Sequence, residues 1–265
     1  VKFEQITVAV ADGIARITLN RPAERNAMTP QMGHEIVRAV ADINADPEAR
    51  VVVIRGAGKG FCSGADLRTL GTETGAAGAA GAAEGLGGNE NFYRLFLSIR
   101  DLKVPSIAAI NGHAVGAGLC FALGADIRVM HRDAKVGVTF VRLGIHPGMA
   151  ATWTLPRLVG PAVAAELLCS GRLVGAEEAL SIGLANRIAG DDFDEVVEEL
   201  AAAIAAAAPI AVRTVKQTLA GWQDRSLDDA LVREAGVQMM TFATEDAAEG
   251  IRAMREKRAP VFRGR

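Results

Sequence analysis

Residues 106–124 read SIAAINGHAVGAGLCFALG. The first five are an apolar run short enough for a buried strand, and LCFAL at the other end is apolar on every side, as a buried helix is. Between them stand Gly112, Ala114, Gly116, Ala117 and Gly118, residues that scarcely fill space. A buried strand that runs through a small-residue turn into a helix is the repeating unit of an α/β protein, in which parallel strands lie under helices. VVVIRGAGKGFCSGADL at 51–67 has the same form. Such turns leave the N–H groups of the first helical residues unpaired and facing outward, with the helix dipole behind them. Missing side chains let a ligand's polar atom approach the main chain. Close helix–strand packing calls for the same small residues, so the sequence leaves both uses open. GAGKGF lacks the phosphate-loop spacing with its Lys-Ser/Thr end.

Strands and helices continue outward from these two units. ITVAV (6–10) and IARITL (14–19) alternate as half-buried strands around Asp12-Gly13, the signature of a hairpin. Thr29-Pro30 is an N-cap followed by the residue best suited to the first helical position, and Met32, Ile36, Val40 and Ile43 recur at helical spacing behind it. ADIRVM (125–130) and KVGV (135–138) add two short strands. GTETGAAGAAGAAEGLGG (71–88) is a low-complexity segment whose glycines oppose a stable helix, and it is expected to be a mobile surface loop. From residue 161 the pattern turns helical, through PAVAAELLCSGR, GAEEALSIGL, FDEVVEELAAAIAAAAP, IAVRTVKQTLAGW and SLDDALVREAGVQMMTFAT. These helices have more apolar surface than the remaining sheet needs, so some are expected to bury it against another subunit. We expect a core over 1–195 and a C-terminal helical region over 196–265.

Composition narrows the chemistry. Half of the 265 residues are hydrophobic, mean hydropathy is +0.20, and 29 basic residues face 31 acidic ones with no long run of either sign. That excludes a disordered polymer and argues against a nucleic-acid stripe or a polybasic membrane patch, leaving small-molecule chemistry. Cys62, Cys120 and Cys169 are odd in number and far apart, which fits neither a disulfide framework nor a metal site. The first residues lack a basic leader before an apolar core, and AAAIAAAAPIAV is too short to span a bilayer, so a cytoplasmic protein without a membrane partner is expected.

Seven segments in order, RPAERNAM, FCSGADL, PSIAAINGHAVGAG, LGADIRV, LGIHPGMAAT, GRLVGAEEALSIGLAN and TFATEDAAEGIRAMREKRAPVF, resemble consecutive signatures of the enoyl-CoA hydratase/isomerase (crotonase) superfamily. The resemblance runs from about residue 5 to 262. It implies a crotonase-like spiral of ββα units with a C-terminal helical trimerisation region, a homotrimer or a hexamer of two trimers, and lyase or isomerase chemistry. The substrate it implies is a CoA thioester, with no further cofactor and no metal. Residue by residue, it places an oxyanion hole on the backbone N–H groups of Ala65 and Ala117. It assigns CoA contacts to Arg25 and Arg68, and to Lys257 a reach toward CoA on a neighbouring subunit. Ala27, Ser63, Asp66, Leu67, Gly116 and Phe140 complete the substrate-binding set.

The chain departs from the family where hydratases carry two glutamates as general acid and base. Those positions hold Cys120 and Phe140, and the aspartate of halide-displacing relatives is Gly148. A positioned acid or base contributes about 10²–10⁴ in rate, so hydration needs a substitute. His146 in LGIHPG, in the loop close to the lost carboxylate, is either a substitute acid or base or a loop histidine bonded to backbone. Cys120 is a nucleophile or a buried filler, His113 a loop histidine, and Asp126 a structural aspartate in relatives. The expected function is therefore enolate stabilisation on an acyl-CoA, with decarboxylation or another enolate reaction, or acyl-CoA binding without catalysis, as alternatives. HPGMAAT itself is similar to PGMGAT of decarboxylating relatives.

Overall fold

Asp12 and Gly13 both take positive φ, 54° and 77°. Their twist matches that of the strands they join, β1 (Ile6–Ala11) and β2 (Ile14–Leu19), which pair antiparallel from Ile6↔Leu19 to Ala11↔Ile14. The computed structural model describes residues 3–66, 90–221 and 225–265. After the hairpin the chain enters α1 (Pro30–Ala45), where the Thr29 hydroxyl accepts the Met32 N–H at 3.1 Å and Pro30 stands at the first position. The four apolar residues predicted to line its face are all buried.

The parallel part of the sheet follows: β3 (Val51–Gly56), β4 (Ser106–Ile110), β6 (Ile127–His131) and β9 (Arg187–Ala189), giving the order β1-β2-β3-β4-β6-β9. Both faces of these strands are covered, which is why they read as continuous apolar runs rather than alternating ones. Val52, Ile54, Ala108 and Ile110 face α1 and the main core. Val51, Val53, Ile107 and Ala109 face Phe193, Val197, Ala201 and Ala205 of α7 (Phe193–Ala205). A three-stranded sheet of β5 (Ala114–Val115), β7 (Lys135–Gly137) and β8 (Val174–Gly175) lies apart.

Helix 90–97 is α2, and α3 (Ala117–Ala122) follows the second glycine-rich turn. The helical pattern from residue 161 becomes α5 (Pro161–Ser170), α6 (Ala176–Ser181), α7, α8 (Pro209–Leu219) and α9 (Leu227–Phe242), with α4 (Ala151–Val159) before them and α10 (Glu245–Glu256) after. No residue of α9 is buried, and Leu227, Val232, Met239 and Met254 are each about three-quarters exposed. This open apolar face fits the trimerisation region that the sequence leads one to expect.

Charged groups tie the periphery down. Lys216 of α8 donates to Asp126 Oδ2 (2.8 Å) and to the Val104 carbonyl (2.9 Å), while the Ser106 N–H and hydroxyl also donate to Asp126 Oδ2. Asp126 thus pins the starts of β4 and β6 under α8. On α10, Glu249 accepts from Arg258 at 2.6 Å, from Arg252 and from the Val261 N–H at 3.0 Å, which fastens the C-terminal tail. Those bonds, Arg258 foremost, hold the Glu249 carboxyl well below the usual carboxylate range. Among the described residues no helix is long and apolar enough to cross a membrane.

Candidate active site

The turns that leave β3 and β4 run side by side. The Phe61 and Cys62 N–H groups donate to the His113 carbonyl at 3.1 and 3.2 Å, and the Val115 N–H donates to the Cys62 carbonyl at 3.0 Å. Two asparagines hold the first turn. Asn26, fully buried at φ 55°, donates to the Ala57 and Gly60 carbonyls at 3.0 Å, and Asn111 donates to the Gly58 carbonyl and accepts the Gly56 N–H, also at 3.0 Å.

This framework places two backbone donors. Ala65 bridges Met28 in parallel fashion: the Met28 N–H donates to the Gly64 carbonyl and the Asp66 N–H to the Met28 carbonyl, both at 2.9 Å. In such a bridge the central residue's own N–H turns to the opposite side. Ala117 is the first residue of α3, whose opening N–H groups have no partner within the helix. Among the described residues neither the Ala65 nor the Ala117 N–H donates to another group. Gly64 lies between them at φ +100°, and a Cβ there would come 2.9 Å from the Val115 carbonyl oxygen and 3.5 Å from the Ala117 nitrogen.

The small residues of the second turn divide the two uses that the sequence leaves open. Gly112 and Gly118 serve packing, because a methyl on either would overlap the carbonyl of Lys59 or of Cys62. Gly116 serves conformation: it adopts φ 58°, ψ −124°, and a Cβ would meet only the Thr139 hydroxyl at 3.7 Å. Its N–H donates to the Gly137 carbonyl at 2.8 Å, which brings β7 and the following 3₁₀ turn, Phe140–Leu143, alongside the start of α3.

Among the side chains, Cys120 is 2 % exposed, and burial pushes its thiol up to about 12, so it is a filler rather than a nucleophile. Phe140 is half-buried against the main core. His146 is exposed, and its Nδ1 lies 2.8 Å from the Pro147 carbonyl. A carbonyl only accepts, so Nδ1 is the donor in this contact, and Nε2 bonds no described residue. The turn then passes Gly148 and carries Met149 and Ala150 at φ 53° and 54°, a conformation that costs L-residues of order 1 kcal/mol or more each and that gathers at functional sites. His113 accepts the Lys135 N–H on Nδ1 at 3.1 Å, a structural bond.

Arg25, Ala27, Ser63, Ala65 and Asp66 come together beside Ala117. The Ser63 N–H donates to the Arg25 carbonyl at 3.0 Å, and Arg21 bonds the Ala27 carbonyl at 2.6 Å and Asp66 at 3.3 Å. The Arg25 side chain is exposed and bonds no other described residue. Lys257 stands apart, ending α10 at φ 54° with its N–H bonded within its own turn. Leu67, Arg68 and the segment 71–88 lie outside the described residues. A separate cleft of about 950 Å³, with Arg100, Trp153, Arg157 and Lys216 on its walls, opens beneath α8 at the N-terminal ends of β4 and β6 and holds none of the predicted site residues.

The asparagine pins, Arg21 and Tyr93 are what sequence reasoning overlooks. Asn26 and Asn111 each hold groups more than 30 residues away, a relation that no local spacing displays. Tyr93 follows the low-complexity segment and touches Gly148, 55 positions on, and its being the one tyrosine of the chain was the only available signal.

Residues 9–265 match the family model described as enoyl-CoA hydratase/isomerase. The chain is 34 % identical over 261 residues to (E)-benzylidenesuccinyl-CoA hydratase of Thauera aromatica, covering 98 % of this chain and 99 % of that protein. A solved enoyl-CoA hydratase of Bacillus anthracis superposes with a TM-score of 0.90 at 32 % identity, over 99 % of this chain and 100 % of its own. Another, from a Polaromonas species, does so with 0.89 at 29 % identity, over 97 % and 99 %. Sheet order, paired glycine-rich turns and whole-length similarity therefore agree, and the chain belongs to the enoyl-CoA hydratase/isomerase family of acyl-CoA enzymes.

Proposed function

We propose that the protein binds an acyl-CoA thioester with its carbonyl oxygen between the N–H groups of Ala65 and Ala117, and stabilises the enolate that forms when an electron pair is released at the α-carbon. The observation that carries this reading is the pair of unpartnered donors on two turns locked to one another through backbone contacts. Negative charge moves onto the oxygen as the enolate develops, and preorganised donors aimed there are each worth about 10²–10³ in rate. Gly64 and Gly116 give the oxygen its access to the main chain. Arg25 and Arg68 hold the CoA nucleotide, with Ala27, Ser63, Asp66, Leu67, Gly116 and Phe140 around the thioester and acyl group. In a trimer or hexamer, Lys257 reaches CoA bound to a neighbour.

His146 is the proton-transfer group, through its free Nε2. Cys120 and Phe140 stand in the places of the two hydratase glutamates, and neither suits proton transfer: one thiol is buried with its proton held tightly, and the phenyl ring has none to exchange. That observation favours a second reading, decarboxylation of a β-carboxyl thioester. There the C–C bond breaks, its electron pair passes to the α-carbon as CO₂ leaves, and no base is required. Turnover of crotonyl-CoA and medium-chain enoyl-CoAs tests the first reading, and CO₂ release from malonyl-type CoA esters tests the second. Reaction in either panel that persists undiminished in the Ala65→Pro, Ala117→Pro double variant would sink the oxyanion reading. Binding without reaction in both panels makes the protein an acyl-CoA binder.

A further inference from the structure

Helix α2 meets α3 through Phe96, whose ring lies 5.9 Å from that of Phe121 in an edge arrangement, and Phe92 of the same helix packs beside Phe96 at 5.0 Å between ring centroids. One residue beyond Phe92, Tyr93 crosses to the strained turn that follows His146. Its hydroxyl oxygen lies 2.5 Å, and its Cζ 2.7 Å, from the point that a Cβ on Gly148 would occupy, so the phenol fills the space that any side chain at 148 would need. Packing alone would be served by a phenylalanine. The hydroxyl bonds no described residue, and Tyr93 is half-buried. Water can satisfy the hydroxyl while the site is open; an acyl chain that seated over Gly148 would expel that water, and the hydroxyl would then bond the ligand or go unpaired.

We propose that Tyr93 is a specificity-determining residue whose hydroxyl bonds an oxygen on the β-carbon of the acyl group, so that the site selects CoA thioesters oxygenated there over plain hydrocarbon chains. This rests on the acyl-CoA reading above. A site with a hydroxyl to satisfy rejects a ligand that lacks the partner more strongly than a purely apolar wall rejects a polar one.

Isothermal titration of the chain with butyryl-CoA and with 3-hydroxybutyryl-CoA tests it. Wild type is expected to bind the hydroxylated ester about tenfold more tightly, the scale of one neutral hydrogen bond. Tyr93→Phe should abolish that preference while leaving butyryl-CoA bound as well as before or better, which loss of structure would not produce. Gly148→Ala, which displaces the ring from the opposite side, should erase the preference independently. Equal binding of the two esters by wild type, or a preference that survives in Tyr93→Phe, overturns the assignment. Failure of wild type to bind either ester overturns the acyl-CoA reading itself, and this inference with it.

Discussion

Replacing Ala117 by proline is a sharp test of the site because the structure lets the N–H be removed with little else. Ala117 is the first residue of α3 and its N–H has no partner among the described residues, so no helical hydrogen bond is lost. Proline suits that position, where its fixed φ is already helical. The preceding residue must avoid the α region, and Gly116 at ψ −124° does. Ala117 is 4 % exposed, so the cost that remains is that of fitting the ring carbons into a packed position, about 1–3 kcal/mol at most. One oxyanion donor, in contrast, is worth about 3–4 kcal/mol, or 10²–10³ in kcat. The assay pairs turnover on the best acyl-CoA substrate with the absorption of a bound, conjugated aryl-enoyl-CoA. Hydrogen bonds to its thioester oxygen pull electron density toward that oxygen and shift the band to the red, whatever reaction the enzyme performs. We expect the red shift to shrink and kcat to fall at least a hundredfold in a variant that remains folded at the assay temperature, with the urea midpoint lowered by no more than that packing cost. A folded variant with wild-type red shift and kcat within threefold would refute the assignment of Ala117.

Three further outcomes follow from the packing and the ionisable groups. Gly118→Ala drives a methyl into the Cys62 carbonyl and should cost about 2–3 kcal/mol, the scale of overpacking a close-packed site, read as a lowered urea midpoint; a loss below 0.5 kcal/mol would contradict the backbone contact. The Glu249 carboxyl is held below its unfolded value of about 4.3, so its stabilising contribution is complete above that pH and fades as pH falls through the folded-state value. Glu249→Gln should accordingly lie below wild type in denaturant midpoint at pH 7, with the gap closing below about pH 4; a gap that is constant with pH would remove the carboxylate from the argument. A disulfide reagent should label Cys169 rapidly and reach Cys62 and Cys120 only on unfolding, since Cys169 is exposed whereas burial lifts both other thiols to about 12. Rapid labelling of two or three thiols would show that the core around α3 is open.

Local pattern made much of the fold legible. The Asp12-Gly13 hairpin, the Thr29 cap, the strands at 51–56 and 106–110 and the helices after residue 161 all rest on contacts between residues a few positions apart, and periodicity and turn chemistry report those directly. Three short strands, Ala114–Val115, Val174–Gly175 and Arg187–Ala189, were not legible, because two or three residues carry no period and each exists only through its pairing partner.

The site divides along the same line. By itself the sequence determined the family and the two glycine-rich turns. Tertiary structure alone decided which glycines are there for packing, Gly112 and Gly118, and which for backbone conformation, Gly64 and Gly116, since the distinction depends on the carbonyls of Lys59 and Cys62 lying across the gap. It also decided that Cys120 is sealed in the core and that Tyr93 stands over Gly148. Burial and contact between distant segments arise only when the chain has closed on itself, and no window of neighbouring residues contains them.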